Sequence, residues 1–275
     1  MNENIFQNVF IIYTKALKAA KIQANRILEL FNYRGIKSSL LEIDELRDKA
    51  SFVIIIGGDG TILKAARFYS QYDTAIFGVN LGRLGFLSQV KPEDIEYAIE
   101  KLIDYQFIID KRIMLCVKDT QFIALNDIVI KGDNISRTSR FYIHINNKPV
   151  CDYLADGVII STPTGSTAYT LSAGGPVIEP SLNVFVIVPI CPHTLNSRPL
   201  VIPSNESVMV STSQDCLRLH IVADGQNVMD IQDNKKNIII QKSLKYAKLV
   251  LLKDERQDFY SVLRKKLHWG ISPNA

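Results

Sequence analysis

Apolar residues in the first hundred positions come in short unbroken runs, separated by stretches with helical spacing. Val9-Phe10-Ile11-Ile12-Tyr13 and Phe52-Val53-Ile54-Ile55-Ile56 show no polar alternation, the pattern of strands buried on both faces. Ser39-Leu40-Leu41-Glu42-Ile43 and Ala75-Ile76-Phe77-Gly78-Val79 add two more strands. Ala20, Ala24, Ile27, Leu28 and Phe31 recur at helical spacing, and Gly35 sits where that helix should stop. Thr61 to Tyr69 reads as a second helix. Pro92-Glu93-Asp94 makes a good first turn for a third, whose core face is Ile95, Ala98, Ile99, Leu102 and Ile103. This alternation predicts an α/β domain with a doubly wound parallel sheet, which places ligands at the carboxyl ends of its strands.

From about residue 107 the pattern changes. Runs of strand formers follow one another at 107–117, 121–131, 139–146, 157–161, 184–190, 207–212, 217–222, 236–241 and 247–252. Turn signals lie between them, among them Asn146-Asn147-Lys148-Pro149, Pro203-Ser204-Asn205 and Asp233-Asn234. One short helix is expected near 167–173. An all-β, β-sandwich-like second domain is expected. Phe259, Val262, Leu263 and Leu267 then share one face of a C-terminal helix, expected to pack back on the first domain. The expected division is 1–106, joined by the helix at 254–275, and 107–253.

Composition narrows the partners more than the fold. The chain has 275 residues, 47% of them hydrophobic and 22% charged, enough to bury a full core. A formal charge of +4, with both signs interspersed, implies neither a nucleic-acid nor a membrane-surface partner. The apolar runs near 52–56 and 184–191 fall far short of the ~20 residues that span a bilayer. Met1-Asn2-Glu3-Asn4 carries no signal-peptide pattern, so a cytoplasmic protein is expected. Cys116, Cys151, Cys191 and Cys216 stand far apart and read as reduced, buried thiols.

Two glycine-rich stretches could carry chemistry. Gly57-Gly58-Asp59-Gly60-Thr61 joins a buried strand to a helix N-terminus, where bare N–H groups and the helix dipole favour an anion. Asp59 inside that turn repels phosphate unless it holds a metal or takes a proton, which hints at phosphoryl transfer. A plain strand-to-helix turn with a capping aspartate is the alternative. The second stretch runs from Asp156 to Pro176 and offers Ser161, Thr162, Thr164, Ser166 and Thr167 around Gly165. Such hydroxyl density is poor for a core and suits a polyhydroxylated or phosphorylated ligand; Tyr169 could face a base. Ser166 lacks the second glycine of a nucleophile elbow. Cys191 and His193 have no matching zinc pair. Neither stretch is a Walker loop, and no Gly-x-Gly-x-x-Gly follows the first strand.

Gly57–Thr61, Asn126-Asp127, the 156–176 stretch, Pro189-Ile190-Cys191-Pro192-His193 with Arg198-Pro199-Leu200, and Asp224-Gly225-Gln226 together resemble the NAD kinases, in that family's order. Thr-Pro-Thr-Gly-Ser-Thr-Ala-Tyr at 162–169, followed by Gly-Gly-Pro, is the most specific element; the Gly-Gly-Asp-Gly turn also occurs in diacylglycerol, sphingosine and 6-phosphofructo-kinases. The resemblance implies phosphoryl transfer from ATP to the 2′-hydroxyl of the adenosine ribose of NAD, with Mg²⁺ or another divalent cation. Asp59 would accept the proton and Gly60 would let the ligand approach the backbone. Asn126 and Asp127 would hold the adenosine part, Asp156 and Thr164 the nicotinamide end. Thr167, Ala168, Tyr169, Thr170, Leu171 and Ser172 would line the dinucleotide, with Arg137 and Gln226 completing the set. Arg83 is a candidate cation for ATP phosphates or a surface salt-bridge residue. Three positions depart from the usual pattern: Asp127 where glutamate is commoner, Leu154 where a basic residue is common, and Ala155. The family's homodimers and homotetramers are the implied assembly. A lipid or sugar kinase of the wider group is the rival enzyme, and a non-catalytic dinucleotide sensor the rival of another class.

Overall fold

The computed structural model describes residues 5–82, 85–88, 90–133, 138–194, 196–213, 218–231, 237–253 and 258–268. The chain divides into two units, Met1–Lys111 with Ala247–Ala275, and Arg112–Tyr246. The first unit opens with β1 (Val9–Tyr13), α1 (Lys18–Tyr33), β2 (Ser38–Glu42), β3 (Phe52–Ile56), α2 (Asp59–Tyr69), β4 (Ala75–Val79) and α3 (Ile95–Ile103). Its strands lie in the order β2-β1-β3-β4 and run parallel. The chain moves outward from β1 to β2 and then crosses back to β3, so the order reverses beside β1 and β3. Gly57 lies at the carboxyl end of β3. Helices cover both faces, which is why β3 and β4 are buried at every position. Phe31, Ala24 and Ile27 of α1 pack with Ile99 and Leu102 of α3 against Ile11, Ile54 and Phe77.

β5 (Phe107–Val117) leads into the second unit. There follow β6 (Ile123–Ala124), β7 (Asp127–Gly132), β8 (Ser139–Ile145), β9 (Lys148–Ala155), β10 (Gly157–Ser161), α4 (Tyr169–Ser172), β11 (Val184–Ile190), β12 (Leu200–Pro203), β13 (Val208–Thr212), β14 (Leu219–Ala223), β15 (Asn227–Ile231) and β16 (Ile238–Leu252). One antiparallel sheet has the order β12-β11-β10-β7-β14-β15. In the other, the first part of β16 is followed by β13, β8 and β9, also antiparallel. Phe141, Ile143, Val208 and Ile240 from one sheet pack against Ile130, Ile160, Phe185 and Ile221 from the other, giving the expected sandwich. The six-stranded sheet is buried on its outer face too, where Val129, Ile159, Val186 and Val188 pack with Ile178, two residues past the glycine-rich stretch.

The last part of β16 pairs with β4 in parallel, Lys248 beside Ala75 and Leu249 beside Ile76. α5 (Phe259–Leu267) begins at Asp258, whose carboxylate accepts from Ser261 N at 2.7 Å, an N-cap. Its Leu263 is buried, and the Lys266 ammonium lies 4.9 Å from the centre of the Phe86 ring.

Two expected boundaries and one burial are corrected. The strands at 236–241 and 247–252 are one strand, β16, which continues through the mostly exposed residues Lys242-Ser243-Leu244-Lys245-Tyr246. β9 replaces part of an expected turn, because Asn146 and Asn147 alone make it, with φ of +49° and +65°. Pro149 is tolerated because β9 is an edge strand. The cysteines are not all buried: Cys191 is exposed and Cys116 and Cys151 are half-buried. Cys216 lies outside the described residues.

Candidate active site

The turn after β3 is built by close backbone approach. Gly57 N donates to Val79 O at 3.0 Å, and a Cβ there would stand 2.5 Å from Thr61 Oγ1. Asp59 is the first residue of α2, where an acid suits the positive end of the helix dipole. Its carboxylate is engaged by the chain itself. Oδ2 accepts from Phe86 N at 2.8 Å, and Oδ1 from Leu87 N at 3.4 Å and Ser88 Oγ at 3.3 Å. A Cβ at Gly85 would overlap Asp59 Oδ1 at 1.7 Å, so only glycine permits this approach. Ser88 Oγ also accepts from Asn80 Nδ2 at 2.9 Å and from Gly85 N at 3.1 Å. Asp59 is thus the hub that ties segment 85–88 to the start of α2. Gly60 next to it is exposed. Arg83 lies outside the described residues.

The hydroxyls of the glycine-rich stretch from Ser161 to Thr167 find their partners within the unit. Ser161, Thr162, Thr164 and Ser166 are buried, and their hydroxyls are bonded within the unit. Thr162 Oγ1 donates to Leu125 O at 2.6 Å, and Ser161 Oγ donates to Asn126 O at 3.2 Å. Ser166 Oγ contacts Pro163 O at 2.7 Å and accepts from Ile178 N at 3.0 Å. Thr164 Oγ1 accepts from the buried guanidinium of Arg112 at 3.2 Å. Thr167 Oγ1 turns back to Thr164 O at 3.4 Å. These groups hold the stretch in place. The density that suggested a ligand measures mostly the cost of burying a loop without orphaned backbone groups.

Past Ser166 the chain runs back along the outer face of the six-stranded sheet. Tyr169 is 39% exposed, and the Lys131 ammonium lies 5.5 Å from its ring centre, a cation–π contact. Ala168 and Leu171 are half-buried, and Ser172 is exposed. Thr170 is fully buried against Gly175, and its Oγ1 has no hydrogen-bond partner. Exposed Asp156 precedes β10 whereas Thr164 follows it, so strand rise puts them roughly 20 Å apart. One chain therefore does not bring Asp156 and Thr164 together; Asp156 shares its end of β10 with Lys131, the register partner of Gly157.

The other candidates converge at the Ser161 end. Asn126 O accepts from Thr162 N at 2.9 Å, and a Cβ at Gly165 would stand 2.2 Å from it. Asn126 Oδ1 is buried without a partner. Asp127 is 3% exposed, and burial together with the charge of Asp224 pushes its carboxyl up to about 7. Gln226 closes the β14–β15 turn, its N–H donating to Ala223 O at 3.0 Å. Arg137 lies outside the described residues. Lys131 and Arg112 went unremarked in the sequence; the only signal for Arg112 was its place, after Lys111, at the start of the apolar run Ile113-Met114-Leu115.

A parallel α/β unit with an acid at a glycine-rich helix start, joined in one chain to a sandwich with a glycine-rich loop on its outer face, defines a two-unit phosphotransferase. Comparison with known proteins narrows the class. The ATP-NAD kinase N-terminal domain model matches residues 14–107 and the ATP-NAD kinase C-terminal domain model residues 125–252. An NAD kinase of Thermoanaerobacter sp. (strain X514) is 43% identical over 230 residues, 81% of this chain and 80% of the relative. One from Clostridium botulinum (strain Loch Maree / Type A3) is 36% identical over 275 residues, 98% of this chain and 92% of the relative. The crystal structure of an NAD kinase from Archaeoglobus fulgidus in complex with ATP superposes with a TM-score of 0.79 at 26% identity, covering 95% of this chain and 99% of that one. Yeast NADH kinase complexed with NADH shares the fold, with a TM-score of 0.81 at 21% identity over 97% of this chain and 89% of that one. The chain belongs to the ATP-NAD kinase family.

Proposed function

We propose that the protein transfers the γ-phosphoryl group of ATP to the 2′-hydroxyl of the adenosine ribose of NAD, giving NADP and ADP. The observation that carries this reading is full-length likeness to NAD kinases, 36% identity over 98% of the chain, with Asp59 of the glycine turn in place. In the proposed division of labour, residues 1–106 with 254–275 serve the nucleotide donor, and 107–253 hold NAD.

A ribose hydroxyl is a very weak acid and a carboxylate a feeble base toward it. Phosphoryl transfer tolerates this, because its transition state is loose and catalysis comes mainly from positioning and charge neutralisation. Asp59 orients the hydroxyl and takes its proton late, and its bonds to Phe86, Leu87 and Ser88 support that role by fixing its rotamer in advance. Exposed Gly60 leaves the backbone open to the ligand. The orphaned Oδ1 of Asn126 accepts a hydrogen bond from the adenosine part, beside Asp127. Thr164, Thr167–Ser172, Gln226, Arg137 and Asp156 complete the NAD contacts, Asp156 and Thr164 at opposite ends of β10. Among the described residues no three His, Cys, Asp or Glu side chains gather as metal ligands. A divalent cation would therefore be held by nucleotide phosphates and water with at most Asp59, the usual arrangement for Mg²⁺ at a kinase, and would supply charge neutralisation.

The exposed edge strands β9, β12 and β15 of the second unit support assembly as a homodimer or homotetramer. Among the described residues no helix is long and apolar enough to cross a membrane. The deciding assay supplies purified protein with ATP, Mg²⁺ and NAD and reads NADP with a specific dehydrogenase, offering diacylglycerol and fructose 6-phosphate in parallel. NADP alone above background is expected; its absence would sink the reading.

A further inference from the structure

We propose that Asp224 is a positioning residue for the NAD site, fixing the backbone from which Asn126 and Asp127 reach the ligand and setting a second carboxylate against Asp127. The inference rests on the proposed NAD kinase activity and deepens it. Asp224 lies nearly a hundred residues along the chain, yet its carboxylate receives three consecutive backbone N–H groups. Leu125 N donates to Oδ2 at 3.1 Å; Asn126 N and Asp127 N donate to Oδ1 at 2.7 and 3.3 Å. Successive amides converging on one anion make a strong, directional anchor.

Asp224 is itself held firmly. It is 8% exposed, and its own N–H donates to Asp127 O at 3.0 Å, so the two segments grip each other in both directions. It has φ +51° and is followed by Gly225 at +66°, a left-handed pair that aspartate and glycine tolerate best. On its carbonyl side Asn126 is pinned by Thr162 N and Ser161 Oγ. With both flanking peptides fixed, the Asn126 side chain has little freedom, and its buried Oδ1 is left unpartnered for a donor. Preorganisation of this kind lowers the ordering cost of binding.

The same carboxylate acts on Asp127. The register partner of Asp127 on β10 is Ser161, and Asp224 immediately follows β14, whose last residue Ala223 pairs with Ile128. Burial raises the Asp127 carboxyl most, and the Asp224 charge raises it further. Asp127 consequently passes between acid and carboxylate near neutrality. The carboxylate form accepts hydrogen bonds from sugar hydroxyls at both oxygens, so NAD binding strengthens as pH rises.

The test measures KM for NAD and for ATP from pH 6 to 8 in the wild type, Asp127→Asn and Asp224→Asn. With a midpoint near 7, the wild-type KM for NAD should fall about tenfold over this range, following the ionised fraction. Asp127→Asn should flatten the profile. Asp224→Asn should raise KM for NAD at least tenfold at pH 8, move KM for ATP less than twofold, and displace the profile to lower pH. A merely structural role would shift both KM values together. If Asp224→Asn is not recovered folded, Asp224→Ser replaces it. Melting supplies an independent reading: Asp127→Asn should melt above the wild type by a margin that is larger at pH 8 than at pH 5. An unchanged KM for NAD in the Asp224 variant, a wild-type profile that Asp127→Asn does not flatten, or a constant melting margin overturns the proposal. A wild type that makes no NADP at any pH defeats the activity instead, and the melting comparison then judges the Asp127–Asp224 arrangement.

Discussion

The Gly57–Thr61 turn and the Ser161–Ser172 loop look alike in the sequence, since each follows a fully buried strand and mixes glycine with polar side chains. Their polar groups are employed differently. In the turn one acid, Asp59, gathers Phe86 N, Leu87 N and Ser88 Oγ, and stands beside exposed glycines at a helix start. In the loop Ser161, Thr162 and Ser166 are spent on carbonyls and amides of their own unit and are buried. Polar density in a loop therefore identifies no ligand. What matters is which polar atoms remain after the chain has satisfied its own backbone, and in the second unit Asn126 Oδ1 and Thr170 Oγ1 are among those that do.

The largest expected effect probes the turn. Asp59→Asn removes the charge and gives segment 85–88 an amide that can accept at one atom only. We expect kcat to fall about a thousandfold, roughly 4 kcal/mol of transition-state stabilisation, with KM for NAD within threefold of wild type. Steady-state kinetics checks it. Retention of more than a tenth of kcat would mean that Asp59 is only a clamp, and the contrast with the loop would collapse.

Ser166→Ala probes the loop from the other side. Its hydroxyl is fully buried and serves Pro163 O and Ile178 N, so its loss leaves buried backbone groups unsatisfied. The expected cost is about 1–3 kcal/mol of stability, read as a fall in Tm, with KM for NAD at low temperature nearly unchanged. A raised KM with an unchanged Tm would return the hydroxyls to ligand binding.

How legible each region was follows from the reach of its interactions. The β3–turn–α2 unit was readable because its information is local: an unbroken apolar strand, two glycines, an acid at a helix start. The sandwich could be counted approximately, although β9 hid behind Pro149 and the Asn146-Asn147 turn. The internal bonding of the loop was not readable, because its hydroxyls find partners well away along the chain, Thr162 at Leu125 and Ser166 at Ile178. Asp224 was legible only as a motif, since the amides it gathers lie 97 to 99 residues earlier. Arg112 had no periodicity to mark it, and a cation beside Lys111 in a strand pattern reads as an outward-facing residue until its bond to Thr164 is seen.

The smallest effect tests whether every polar cluster in the second unit concerns the ligand. His220 on β14 contacts Asp230 at Nδ1 (2.6 Å) and Asp133 at Nε2 (3.1 Å), and hydrogen bonds to these two carboxylates raise its pKa above the usual histidine range. A raised folded-state value means that the folded protein binds the proton more tightly than the unfolded chain does. The resulting stability is fully present below the unfolded value of about 6.5 and is lost as pH rises through the folded one. His220→Gln should therefore lower Tm at pH 6 and make little difference at pH 9. The ring is partly exposed, so solvent screening keeps the effect below about 1 kcal/mol. KM for NAD should not move at either pH, because both ring nitrogens of His220 are already engaged by carboxylates, whereas Asn126 keeps a buried Oδ1 without a partner. A KM change confined to pH 6 would place His220 with the NAD site and extend pH control beyond Asp127.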